Sequence, residues 1–149
     1  MSARSELTDA LRQVVMSQHF AVLATQQGDQ PYMNLVAFVV SDDLLHVVFA
    51  TSRNTQKYRN LRANNKVAML IDSRRNEPSD LGEALAITAL GSASELAENE
   101  SEHLVETYLQ RHPTLRDFIH QLETAIIRVT ITDYIIARFD SVERIQMGS

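Results

Sequence analysis

The sequence predicts a mainly β protein, a β-barrel with peripheral helices, and three observations carry that expectation. Short runs dense in Val, Ile, Leu and Phe recur along the chain. Brief polar turns separate them, and the regular strand–helix alternation of a doubly wound sheet is missing. A close-set antiparallel meander of this kind closes into a small barrel, which removes exposed sheet edges. The 149 residues fit one domain, 1–149, with a single core, and a content of 44% hydrophobic and 22% charged residues is that of a globular chain.

The elements follow in order. The opening "SELTDALRQVVMSQ" sets Leu7, Ala10, Leu11, Val14 and Val15 at i, i+3, i+4, i+7 and i+8, one apolar stripe of an amphipathic helix. The period then changes. Residues 19–25, 31–40 and 44–51 are apolar runs punctuated by "QQGDQP" and "SDD", and they predict three strands of an antiparallel meander. Thr55 is the expected N-cap of a short helix whose apolar pair, Tyr58 and Leu61, sits at i and i+3 and which ends at Asn64–Asn65. Residues 66–72 make a fourth strand and 73–83 a polar loop. Residues 84–96 make a fifth strand, where Gly91 marks a bulge or a close backbone approach. Two helices are expected around Pro113 within 99–122. An Asn99-x-x-Glu102 capping box opens the first, striped by Leu104, Val105, Tyr108 and Leu109; Leu115, Phe118, Ile119 and Leu122 stripe the second. The β-branched stretch 125–140 gives one long strand or two.

Composition narrows the function classes. Without cysteine there is no disulfide, thiolate catalyst or Cys-ligated metal. None of the five histidines is spaced i, i+3 or i, i+4 from another and no HExxH is present, so no metal site is expected. Arg4, Glu6, Asp9 and Arg12 interrupt any signal-like stretch, and no apolar run reaches the ~18 residues of a membrane helix. The expected compartment is therefore the cytoplasm, with no membrane partner. A formal net charge of −5 argues against nucleic-acid binding. No nucleophile elbow, P-loop or dinucleotide fingerprint occurs. His46 reads as a half-buried strand residue before it reads as a catalyst, and catalytic residues remain unassigned.

One segment runs against the acidic balance. "TSRNTQKYRNLRANNKVAML" (51–70) carries Arg53, Lys57, Arg59, Arg62 and Lys66 and no acid. Its helix begins where unpaired N–H groups and the positive end of the dipole favour Asp or Glu, yet Gln56 and Lys57 stand there. A bound anion would reverse that mismatch, and Thr51, Ser52 and Thr55 add hydroxyls beside it. A solvated helix face is the plain alternative.

The order "PYMNLVAFVV", "LLHVVFATSRNTQKYRNLRANNKVAMLI", "ALAITALGSASEL" resembles the pyridoxamine 5'-phosphate oxidase-like superfamily of FMN-binding split β-barrels, in its short and functionally undefined branch. The resemblance covers roughly residues 5–97 and is most specific at Thr51, Thr55, Lys57, Leu61, Asn64 and Val67. It implies FMN held at the interface of a homodimer. The phosphate group would lie among Thr51, Ser52, Thr55, Gln56 and Lys57, and the flavin ring along Asn34, Leu35 and Val36. Where vitamin B6 oxidases carry an Arg on the second strand this chain has Asn34, with Arg53 as the candidate substitute, and the chain contains no Trp. Pyridoxamine phosphate oxidation is therefore not expected. The expected function is an FMN-dependent oxidoreductase passing hydride between a nicotinamide-type reductant and a small acceptor. The alternatives are a non-catalytic flavin-binding or sensing protein, or the same fold with deazaflavin or haem.

Overall fold

The computed structural model describes residues 2–100 and 102–148. Helix α1 (Ala3–Ser17) starts where the Ser2 hydroxyl accepts the Ser5 N–H at 3.1 Å, and it buries Leu11, Val14 and Val15 as its stripe requires. Eight strands follow: β1 (Phe20–Gln27), β2 (Gln30–Ala37), β3 (Val39–Val40), β4 (His46–Ser52), β5 (Lys66–Asp72), β6 (Ala86–Glu95), β7 (Thr124–Arg138) and β8 (Ser141–Gln146). Helix α2 (Gln56–Ala63) joins β4 to β5, and α3 (Asp80–Glu83) lies in the loop after β5. Helices α4 (Glu102–Arg111) and α5 (Arg116–Ile119) connect β6 to β7.

The strands form one antiparallel sheet in the order β2-β1-β5-β6-β7-β4-β3, with β8 added to β7. The two ends of that order, β2 and β3, are separated in the chain by Phe38 alone. One stretch of backbone thus pairs with β1 through β2 and with β4 through β3, curling the sheet into a split barrel.

This corrects the simple meander. The run 31–40 is two strands, and β4 pairs with β7 rather than with β2. The reason lies in consecutive burial. Phe38, Val39 and Val40 are 0%, 7% and 3% exposed, so the in–out alternation of a single strand fails there. Phe38 and Val40 enter the barrel core, whereas Val39 joins a second small core with Val48, Tyr108, Leu109 and Ile119 beneath α4 and α5.

Residues 125–140 resolve as one long strand followed by a turn. β7 serves two neighbours on one side, β4 along its first half and β8 along its second. β8 escaped the sequence reading because Ile145 is its one buried residue, which leaves no alternation to detect. Gly91 sits at the register shift between β6 and β7, and a Cβ there would fall on the Thr130 carbonyl oxygen. The expected capping residue Asn99 lies instead in a 3-10 turn, Glu98–Glu100, ahead of α4. The second helix of that region is shorter than its stripe implied: a 3-10 turn, Pro113–Leu115, then α5. Among the described residues no helix is long and apolar enough to cross a membrane.

Candidate functional site

The cationic segment forms a strand end, a tight turn and the first turn of α2. Thr51, 2% exposed, is the penultimate residue of β4, with its hydroxyl 3.2 Å from that of Thr55. Thr55 caps α2 by accepting the Tyr58 N–H at 3.2 Å, and its own hydroxyl donates to the Ser52 carbonyl at 2.9 Å. The Ser52 hydroxyl accepts the Asn54 N–H at 3.2 Å. These hydroxyls therefore shape the turn. The Gln56 and Lys57 N–H groups stand at the helix start, where no intrahelical acceptor exists, and no acidic residue occupies that turn.

Lys57 is the unusual side chain. It is half-buried, and no carboxylate among the described residues lies within ion-pair distance of it. Burial alone pushes its pKa below the ordinary lysine value. A desolvated cation beside free N–H groups is a place where a dianion would bind favourably.

Arg53 does not share this role. Its guanidinium pairs with Glu95 and donates to the carbonyls of Leu122, at 2.9 Å, and Thr124, at 3.3 Å. Glu95 also accepts the Tyr58 hydroxyl at 2.6 Å, and Arg62 donates to that hydroxyl at 3.2 Å. The substitute expected for the missing second-strand arginine is thus spent on fastening the turn to the loop before β7. Sequence alone offered no signal for this network, because Glu95 stands 42 positions from Arg53.

Gln56 donates to Asn60 at 2.7 Å, and Asn60, 2% exposed, donates to Thr25 of β1 at 3.0 Å. This chain of amides seats α2 on the strand next to β2. Thr25 faces Tyr32 and Leu23 faces Asn34, so Asn34 and Val36 project to the same side as Thr25. The Asn34 Oδ1 is buried there without a partner. Leu35 projects the other way and is 69% exposed, beside Met33 at 70%. The three ring-contact candidates therefore divide between two faces, and one planar ring cannot rest on all three side chains. β2 ends the sheet order, so its backbone edge away from β1 has no strand partner among the described residues.

Beside the turn, a cavity of about 350 Å³ opens between α4, α5 and β7, lined by Arg53, Leu96, Val105, Ile119, Gln121 and Thr124 among others. Among the described residues no group of three or more His, Asp or Glu is placed to hold a metal ion.

The family model described as pyridoxamine 5'-phosphate oxidase matches residues 7–135. No curated protein matches the sequence. Among solved structures, a heme binding protein from Mycobacterium smegmatis aligns at TM-score 0.81 and 15% identity, covering 91% of this chain and 55% of that one. The general stress protein 26 of Bacillus anthracis aligns at TM-score 0.75 and 18% identity, covering 95% and 99%. A FAD-binding protein from Mesorhizobium loti aligns at TM-score 0.68 and 17% identity, covering 96% and 92%. At such identities the likeness is one of fold. The chain spans just over half of the mycobacterial protein, and nearly all of the other two.

Proposed function

The chain belongs to the pyridoxamine 5'-phosphate oxidase family, and from that premise we propose that it is an FMN-binding flavoprotein that acts as an oxidoreductase on small molecules. The observation that carries the reading is Lys57, a half-buried ammonium at the start of α2 with no carboxylate partner among the described residues. FMN fits the residues present. Its phosphate dianion would satisfy Lys57 and the Gln56 and Lys57 N–H groups, and a ligand donor would meet the orphaned Asn34 Oδ1.

When bound, FMN supplies hydride and electron transfer, so the protein need not provide a nucleophile. The chain's own residues bind and orient. Thr51, Ser52 and Thr55 hold the turn in shape, Gln56 and Asn60 lock α2 onto β1, and Arg53 fastens the turn to the loop before β7. The unpaired edge of β2 offers N–H and C=O groups to a flat polar ligand. The cavity lined by Arg53 and Val105 is the place for a small acceptor close to that turn.

The functional unit in this proposal is a homodimer. Met33, Leu35 and Phe20 are 70%, 69% and 58% exposed on the β1–β2 hairpin. Met33 faces Ala24, Leu35 faces Val22, and Phe20 faces Ala37, so they share one outer sheet face. An apolar face of that kind is a candidate surface for a second copy.

The test is the visible absorption spectrum of the purified protein before and after FMN addition and desalting. A retained flavin band, followed by NAD(P)H oxidation, supports the oxidoreductase. A band without turnover leaves a flavin-binding or sensing protein. A protein that fails to hold FMN and takes haem or a deazaflavin overturns the proposal.

A further inference from the structure

Two polar rows cross the outer side of the sheet. In one, Lys66 of β5 faces Ser92 of β6, Ser92 faces Thr130 of β7, and Thr130 faces His46 of β4. In the next, Ser94 faces Arg128, which faces Val48. Directly opposed residues project to the same side of a pleated sheet, and alternate residues do so along each strand. The six polar side chains therefore share one face. The residues between them, Val47, Ala93, Ile127 and Val129, fill the barrel core on the other side. At Gly91 the strands carrying Ser92 and Thr130 approach too closely for any Cβ.

Two nitrogens on this face are orphaned. Arg128 Nε and His46 Nδ1 are buried without a hydrogen-bond partner among the described residues. A guanidinium N–H withdrawn from water normally has an acceptor, and its absence marks an unfilled role. No described carboxylate lies within ion-pair distance of Arg128 or Lys66. Two acids on the adjoining segments are committed: Asp43 accepts the Ser41 hydroxyl and the Leu45 N–H, and Asp133, further along β7, pairs with Arg144 at 2.8 Å.

We propose that Arg128, Ser94, Thr130 and His46 form a second oxyanion site, separate from the start of α2, that takes the phosphoryl group of a small molecule. Its donors come from three adjacent strands, β4, β6 and β7, on one face of the sheet. That arrangement suits a group presenting three acceptor oxygens better than a planar carboxylate, and the guanidinium supplies a two-pronged contact. The proposal is independent of the flavin reading, because it uses none of the residues around Lys57.

The experiment is a titration of the whole protein with inorganic phosphate, followed by the Arg128 Nε–H and His46 imidazole signals in proton–nitrogen correlation spectra. Both signals move saturably, and Arg128→Gln weakens phosphate binding about tenfold or more. If that variant disturbs the fold, Ser94→Ala combined with Thr130→Val keeps the guanidinium and still weakens binding about threefold or more. Lys57→Ala leaves the Arg128 response in place, which separates the two sites. Signals that ignore phosphate overturn the proposal. Signals that follow protein concentration instead also overturn it, since the acceptor is then a carboxylate of a second copy.

Discussion

Two clusters of backbone N–H groups in this molecule are treated in opposite ways. In the loop after β5, the N–H groups of Arg75, Asn76 and Glu77 all donate to the Asp80 carboxylate, at 2.8–3.2 Å. These bonds hold the Asp80 pKa below the ordinary carboxylate value. At the start of α2 the first two residues are Gln56 and Lys57, and their N–H groups face no acid within that turn. The first cluster is self-sufficient. In the function proposed above the second is completed by an anion from outside, and on that reading the difference separates a structural loop from a binding turn. The loop 73–83, expected as a polar loop, is tied down by its own carboxylate.

The largest expected effect tests the binding turn. Lys57→Ala weakens FMN binding by about 1–3 kcal/mol, the scale of a charge-assisted hydrogen bond, as read by equilibrium titration of flavin absorbance. Unchanged affinity would erase the distinction between the two clusters. Thr55→Ala comes next. It removes the cap on the Tyr58 N–H and lowers stability by about 1 kcal/mol in urea unfolding, in the protein without added FMN. A loss seen only with FMN present would make Thr55 a ligand group rather than a cap.

The smallest effect is local. Asp80→Asn speeds amide hydrogen exchange at Arg75, Asn76 and Glu77 and leaves FMN affinity unchanged. The pH dependence of that loop follows in sign. Because the folded-state pKa of Asp80 is depressed, its contribution is complete above the unfolded carboxylate pKa and is lost as pH falls through the lower folded value. Exchange protection that persisted below that range would show that the carboxylate is not what orders the loop.

Much of the fold was legible because local signals and tertiary demands agreed. The stripe of Leu11, Val14 and Val15, the Thr55 cap, the strand at 66–72 and the irregularity at Gly91 all stand where the pattern placed them. The signals that failed were those whose meaning depends on a distant partner. Phe38–Val40 read as the end of one strand because burial on both faces cannot be told from a longer apolar run. β8 carries one buried residue, so its existence rests on pairing with β7.

The site divides along the same line. Sequence by itself determined that a cation-bearing turn without acids begins a helix after a strand, since residue type and spacing set the cap, the dipole and the charge. It also placed Lys57 in the first turn. Only the tertiary structure decided that Arg53 is paired and that Lys57 is desolvated. Glu95, brought alongside by strand pairing, claims Arg53, while packing against the barrel half-buries Lys57 with no carboxylate among the described residues within ion-pair distance. Likewise only the pairing of β4, β6 and β7 aligned His46, Ser94 and Arg128 on one face. Charge is written in the chain, but whether a charge is paired depends on neighbours that only folding brings within reach.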